Sequence, residues 1–180
     1  MFRRRRFSPP IEQARARLDE ELARAQMLFQ AGRYSEAGTV FEQIATIAEA
    51  RGGPRAPRFY LQAGRSWIHA QVVARGMLLL EKGWTLALRT DRQDLLGRMG
   101  PALVEELRAM GLIQESSQIS TWLSKISPVM ERSQPQNSTG RPQLPLKCPS
   151  CGAPVNPTLA KWADDTTAEC DFCGSFLRGT

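Results

Sequence analysis

Histidine is nearly absent from this 180-residue chain, and His69 is its single copy. Di-iron centres built on Glu-x-x-His pairs need more than one histidine, and a lone helical histidine is more often packed than reactive. Phosphate-cradling glycine loops are lacking as well. The adjacent acids Glu105 and Glu106, like Asp164 and Asp165, diverge from each other in a helix or strand. We therefore expect no enzyme.

Long apolar runs are also lacking. The longest, 76–80, is stopped by Glu81 and Lys82, far short of the roughly 18 residues that span a membrane. The opening residues MFRRRRFSPP have no apolar core of a secretion signal. We expect a cytoplasmic protein without a transmembrane segment, and in that compartment paired cysteines are metal ligands more often than disulfides.

The net charge is +6, from 24 Lys and Arg against 18 Asp and Glu. Four of the positive charges stand in the segment 1–10, which is predicted to be disordered because adjacent like charges repel: Arg3, Arg4, Arg5 and Arg6. An anionic partner (nucleic acid, an acidic protein surface or a membrane surface) would account for this segment, and so would simple solvation. The stretch 127–180 has five charges of each sign, which argues against a strong phosphate-binding module there.

The four cysteines lie near the C-terminal end in two pairs, Cys148-x2-Cys151 and Cys170-x2-Cys173, with 18 residues between the pairs. Two residues between thiols let one tight turn direct both sulfurs to a single ion, and roughly 15–20 residues between pairs is typical of a zinc site. Four thiolates close a tetrahedral shell without an open position, which predicts structural Zn²⁺. Two disulfides and a rubredoxin-like iron site use the same residues and stay as alternatives.

The stretch 147–178 resembles a zinc ribbon, in which two CPxCG-like knuckles stand at the tips of β-hairpins. Gly152 and Gly174 follow the two cysteine pairs and suit the positive φ that such turns need. The resemblance implies a structural metal and short strands at 166–170 and 175–178.

The second knuckle departs from this pattern, because it contains Asp171 and Phe172 where proline and a polar residue are commoner. A ribbon has few apolar residues to bury, so Trp162 and Phe172 are predicted to pack as its small core. If they were exposed instead, they and Lys161 would be the residues to contact nucleic-acid bases.

Residues 11–126 show helical periodicity throughout, as six helices separated by turn signals. Gly32 suits a left-handed helix cap, and Ser35 suits the N-cap of the next helix. The sequence TDRQ at 90–93 predicts a capping box that opens the fifth helix. Gly100-Pro101 predicts a kink or a restart within that helix.

Residues 21–51 resemble one tetratricopeptide repeat (TPR), through Ala25, Leu28 and the turn GRYSEA that starts at Gly32. The same frame recurs 39 residues later and again 40 residues after that, so that three helical hairpins cover 18–126. Each hairpin of such an array buries its apolar face against its neighbour. The resemblance implies a concave surface suited to peptides.

Segment 127–146 is predicted to be a flexible linker, because its four prolines stand among Ser, Gln, Asn and Gly. The chain is thus predicted to be mainly α, an antiparallel helical-hairpin array (TPR-like, 11–126) joined to a small C-terminal β zinc ribbon (147–180). The helical part should then fold without the ribbon. We predict a non-catalytic adaptor that binds a protein partner. The leading alternative is weak nucleic-acid association through the N-terminal arginines and the ribbon, and the third is a rubredoxin-like electron carrier.

Overall fold

The computed structural model describes residues 10–130, 142–155, 157 and 160–179. A three-stranded antiparallel sheet lies near the C-terminal end, and the predicted fold class, mainly helical with a small C-terminal β-sheet, is confirmed. Among the described residues, no helix combines the length and apolar character that a membrane crossing requires. Six helices precede the sheet: α1 (Pro10–Gln30), α2 (Tyr34–Ala50), α3 (Ala56–His69), α4 (Val73–Arg89), α5 (Gln93–Ala109) and α6 (Ile113–Met130).

The five turns between these helices share one backbone geometry. Each contains one residue with positive φ: Gly32 (75°), Gly52 (64°), Gln71 (63°), Asp91 (54°) and Gly111 (78°). The residue after it donates its N–H to a carbonyl five positions back, over 2.7–2.9 Å. Alternate turns lie 39 or 40 positions apart, which is the offset of the predicted hairpin frame.

Two predicted helix caps are wrong. Ser35 lies inside α2, whose N-cap is Arg33, and the N-cap of α5 is Arg92; neither N-cap makes a side-chain hydrogen bond. Thr90 is instead the C-cap of α4, and its hydroxyl donates to the carbonyl of Leu86 over 2.8 Å. The left-handed residue lets the backbone hydrogen bonds of each turn form without a capping side chain. The polar side chains of Ser35 and Thr90 therefore do not lie at the N-cap positions.

Helix α5 runs unbroken through Gly100 and Pro101, so the predicted restart is wrong, while the kink stays a prediction. The glycine serves packing instead, because a Cβ at Gly100 would lie 2.5 Å from a methyl carbon of Leu123 on α6. A similar close approach joins α3 to α4, where a Cβ at Gly76 would lie 2.4 Å from Ile68. These contacts set the short distance between the paired helices.

Two hydrophobic clusters hold the array together. One joins α1 to α4 around Phe41 and Tyr60. The other joins α3 to α6 and includes residues of the C-terminal sheet, among them Leu177. Of the consecutive helices, α4 and α5 approach each other least, and the rings of Trp84 and Trp122, 5.6 Å apart, help to join α4 to the last hairpin.

The sheet consists of β1 (Lys161–Trp162), β2 (Thr167–Glu169) and β3 (Phe176–Arg178), in that spatial order. The two strands predicted at 166–170 and 175–178 are confirmed as β2 and β3, while β1 was not predicted. Paired positions Trp162, Ala168 and Leu177 form the inner face, and paired positions Lys161, Glu169 and Phe176 form the outer face.

The predicted domain boundaries need correction at the linker. Helix α6 extends to Met130, four residues past the predicted end at 126. At the other end of the predicted linker, Leu144 is buried in the cluster that joins the sheet to α3–α6. The ribbon is therefore packed on the helices and does not stand apart from them. Residues 131–141 of the linker and 1–9 of the basic segment, with Arg3–Arg6, lie outside the described residues.

Candidate metal centre

The two cysteine pairs occupy turns with the same backbone hydrogen bonds. In the first knuckle (148–153), Cys148 N donates to Ala153 O and Gly152 N donates to Cys148 O, both over 2.8 Å. The second knuckle (170–175) repeats both bonds at the equivalent positions, also over 2.8 Å. The glycines that close the knuckles have φ of 66° at Gly152 and 79° at Gly174, as the sequence predicts. Each turn thus directs its two sulfurs to the same side.

The four sulfur atoms converge on one point, since all lie within 4.8 Å of one another. Cys148 Sγ is 3.6 Å from Cys173 Sγ, and Cys151 Sγ is 3.8 Å from Cys170 Sγ. A tetrahedron of sulfurs around zinc, with Zn–S near ~2.3 Å, has edges of about 3.8 Å. A disulfide would need sulfurs about 2.05 Å apart. The geometry therefore fits a metal ion between the thiols, and all four are free cysteines.

The thiols influence one another's ionisation. A hydrogen bond from Cys151 is the main cause that lowers the pKa of Cys148 to about 7, and a hydrogen bond from Cys148 lowers the pKa of Cys173. The pKa values of Cys151 and Cys170 are raised, first by their hydrogen bonds to Cys148 and further by burial. Four thiolates so close together repel one another, so a divalent cation is the group that would allow all four to ionise.

The second knuckle is fixed to the helices chiefly by two arginines. On α3, Arg58 donates to Asp171 O over 2.7 Å, to Cys170 O, and to the carboxylate of Glu169 over 3.1 Å. On α5, Arg98 pairs with the Asp171 carboxylate. Burial raises the pKa of Asp171, and the charge of Arg98 opposes that rise. Two main-chain carbonyls and two carboxylates of the second knuckle and β2 are thus held by the array.

The ring of Phe172 is buried between the second knuckle and the array, with 2% of its surface exposed. The guanidinium of Arg65 lies 5.2 Å from its centroid and 4.3 Å from the centroid of Phe29 on α1. The predicted packing of Phe172 is confirmed, and Trp162 also packs against the core while remaining partly exposed. The nucleic-acid alternative therefore loses Phe172 as a base contact.

Glu106 on α5 holds Arg65 in place. Its carboxylate oxygens lie 2.9 and 2.7 Å from Arg65 Nε, and one of them lies 2.7 Å from His69 Nε2. Burial opposes ionisation of Glu106, but the hydrogen bond from His69 and the charge of Arg65 outweigh it and lower the pKa to about 2. The His69 ring also contacts the rings of Phe29 and Tyr34, at centroid distances of 5.2 and 4.9 Å. These are the contacts of a packed histidine.

The first knuckle makes fewer contacts with the array. Gln30 at the end of α1 donates to Pro149 O over 2.7 Å, and Arg65 donates to Cys151 O over a longer 3.4 Å. The helix residues that hold both knuckles come from α1, α3 and α5. We call them the docking face: Gln30, Arg58, Arg65 and Arg98.

Sequence reasoning located the four cysteines that the structure brings together but missed the docking face. In the sequence, Arg58 and Arg98 look like ordinary solvated helix residues, because their acceptors on the ribbon are more than 70 positions away. The one available signal was the unusual pair Asp171 and Phe172, which the resemblance marks as a departure and the structure shows in contact with the helices.

Comparison of the chain with protein-family models, with curated proteins and with solved structures found no match.

Proposed function

We propose that the four cysteines hold one structural Zn²⁺ in a zinc ribbon of the CPxCG type: Cys148, Cys151, Cys170 and Cys173. Support comes from sulfur separations of 3.6 and 3.8 Å, close to the tetrahedral edge of about 3.8 Å that Zn–S bonds near ~2.3 Å require. Four protein ligands leave no position for water or substrate, so the ion contributes folding free energy rather than chemistry.

The chain then acts as a non-catalytic adaptor for a protein partner. The observation that carries this role is that the closed four-sulfur centre packs on a TPR-like helix array. A metal in this centre would be structural, and the helix surfaces outside the contact would be available to bind a partner. Helices α2 and α4 present Ile47 and Leu78, 52% and 67% exposed, beside open grooves of about 390 and 310 Å³ that residues of these two helices line. Exposed apolar side chains rimmed by charges are typical of protein-binding surfaces. The cytoplasmic location stays a prediction.

Metal analysis of the purified protein tests the site. We expect about one zinc per chain, lost when the four cysteines are replaced by serine. Iron with a red-brown chromophore would instead support the rubredoxin-like carrier. A mass lower by four protons, without metal, would identify two disulfides.

Capture from extracts of the cells that make this protein tests the adaptor role. The full chain should retain a specific protein partner, and Leu78→Glu should abolish that retention by placing a charge in the α2–α4 groove. The matched control is Phe176→Glu, since Phe176 is equally exposed at 67% but lies on the outer face of the sheet. Equal loss with both variants, or no specific partner, would contradict an adaptor surface on α2 and α4.

Oligonucleotide binding separates the adaptor from the nucleic-acid alternative. With Phe172 buried, any affinity should come from Arg3, Arg4, Arg5 and Arg6, and should fall steeply with salt. Binding of single- and double-stranded oligonucleotides should vanish when these arginines become alanine. Salt-resistant binding by the tetra-alanine variant would favour the nucleic-acid function.

A further inference from the structure

The ribbon covers a surface of the helix array to which three separate helices contribute. The docking face takes Gln30 from α1, Arg58 and Arg65 from α3, and Arg98 from α5. Arg65 and Arg98 retain carboxylate partners within the array, in Glu106 and Asp94. Every hydrogen bond found for Arg58 ends on the ribbon. Removing the ribbon would therefore leave Arg58 without these acceptors.

The array contacts main-chain carbonyls of both knuckles as well as side chains of the second knuckle. Arg58 reaches the carbonyls of Cys170 and Asp171, and Gln30 reaches that of Pro149. These carbonyls belong to the turns that direct the sulfurs to the metal. A turn that loses the metal loses the restraint that fixes the direction of its carbonyls. The metal and the docking contacts therefore stabilise each other.

We propose that the ribbon is a metal-dependent cover over the docking face, and that the uncovered face binds a segment with a carboxylate next to an aromatic ring. The ribbon itself shows this chemistry, because Asp171 pairs with Arg98 while Phe172 lies against Arg65. The inference rests on the proposed zinc site and adds a second binding surface to the adaptor, separate from the α2–α4 groove. A tethered ribbon competes at an effective concentration near the millimolar range, so an external segment binds only after the cover is released.

The metal centre can be reached from solvent at one edge. Cys173 is the least buried of the four cysteines, and it lines a cavity of about 230 Å³ between α1, the start of α3 and the second knuckle. Arg58 and Glu169 line the same cavity. A chelator or a competing metal-binding protein would approach the ion here, beside the main docking arginine.

Arginine footprinting on the full chain tests the release of the cover. In zinc-loaded protein a dicarbonyl reagent should modify Arg58 and Arg98, 12% and 19% exposed, more slowly than Arg75, which is 48% exposed. A chelator with a thiol-free reductant should raise the modification rates of Arg58 and Arg98 by about tenfold and leave the rate of Arg75 unchanged. A tenfold change corresponds to a free-energy difference of roughly 1.4 kcal/mol between the covered and uncovered states. Helical circular dichroism should persist. The proposal of a metal-dependent cover would be refuted by unchanged modification rates after measured zinc loss. It would also be refuted if the helices unfolded together with the ribbon.

Reciprocity supplies a second test that does not depend on labelling. Because metal binding and docking favour each other by the same factor, Arg58→Gln should weaken zinc affinity by about tenfold in a chelator competition. The matched control Arg75→Gln removes a helix arginine whose partner Glu42 lies on α2, and it should leave zinc affinity unchanged. Equal affinities for the two variants would contradict the coupling. A chain that binds no zinc at all would instead refute the proposed metal site.

The partner class is tested with a labelled peptide, TAESDFSGS, which copies residues 167–175 with both cysteines replaced by serine. Its fluorescence anisotropy should report binding to chelator-treated full chain at least about tenfold tighter than to zinc-loaded chain. The control peptide TAESNASGS, which lacks the carboxylate and the ring at the tip, should not bind. Equal binding of both peptides, or no binding to the metal-free chain, would refute an acidic–aromatic partner.

Discussion

The first and second knuckles have the same backbone and different neighbours. Both hold two cysteines, close with a left-handed glycine and repeat the same 2.8 Å hydrogen bonds. The first contains Pro149 and Ser150 between its cysteines and contacts the array through two carbonyls. The second contains Asp171 and Phe172 and provides an ion pair and a buried ring in addition to its carbonyls. The two knuckles contribute equally to the cluster of four cysteines, whereas attachment to the helices depends mainly on the second.

Loss of a cysteine should have the largest effect on stability, and this effect should be the same in both knuckles. Cys148→Ser and Cys170→Ser each remove one of four ligands, so both should lose the zinc and the free energy that it contributes, on the order of 5 kcal/mol or more. Zinc stoichiometry and the melting temperature should fall alike in the two variants, with the helices retained. A variant that kept its zinc would show that its knuckle is not needed for the site.

Removal of the buried ring should produce the largest difference in stability between the two knuckles. Phe172→Ala removes a core aromatic residue and should lower the free energy of unfolding by about 3–5 kcal/mol. Ser150→Ala, at the equivalent position of the first knuckle, should change it by less than about 0.5 kcal/mol. Urea unfolding of the zinc-loaded proteins measures both. Similar losses for the two variants would mean that the knuckles share the attachment.

Substitution of Glu106 should weaken the attachment of both knuckles to the helices. Glu106 orients Arg65, which contacts Cys151 O and the ring of Phe172. Its pKa is about 2 in the folded chain against an ordinary value of 4.5, so its contribution is fully present above pH 4.5 and is lost as the pH falls towards 2. Glu106→Gln should lower the free energy of unfolding by about 2–3 kcal/mol at pH 7.

The difference in unfolding free energy between wild type and Glu106→Gln should shrink as the pH falls from 4.5 to 3. Any zinc held by the thiols should be lost in acid from both proteins alike, so the comparison between them isolates the carboxylate. Unfolding of both at pH 7, pH 4.5 and pH 3 gives the measurement. A difference that does not vary with pH would show that Glu106 acts by packing alone.

The smallest expected effects come from the polar attachments. Arg98→Gln leaves the partly buried carboxylate of Asp171 without its ion-pair partner, and should lower the free energy of unfolding by about 2 kcal/mol. Gln30→Ala removes one exposed hydrogen bond to the first knuckle and should cost about 0.5 kcal/mol. If Gln30→Ala were the more damaging variant, the order of the two knuckles would be reversed.

Local signals in the sequence predicted the elements of the fold and the cluster of four cysteines. Cysteine spacing with Gly152 and Gly174 predicted the knuckles, and Gly32 predicted the first left-handed turn. Gln71 and Asp91 adopt the same left-handed conformation without glycine, and no local pattern marked them. The backbone conformation of these two residues is set by the packing of the helices on either side of the turn.

The docking face could not be predicted, because its contacts join residues far apart in the chain. An arginine in a helical pattern has the same sequence signature whether it faces water or the carbonyls of a knuckle. The packing of the C-terminal region on the helices was missed for this reason, because proline-rich composition describes the connection but not where Leu144 and Phe172 are buried. Folding of the helical part without the ribbon stays a prediction. Only the departure at Asp171 and Phe172 pointed to an unusual environment.

The loose approach of α4 to α5 has a mechanical consequence. We expect the turn between them to act as a hinge, with the first two hairpins on one side and the last hairpin on the other. The second knuckle spans this hinge as a brace, because Arg58 holds it from α3 and Arg98 holds it from α5. If the knuckle cysteines hold the proposed metal ion, we expect the angle of the hinge, and with it the curvature of the whole array, to depend on whether the metal is bound.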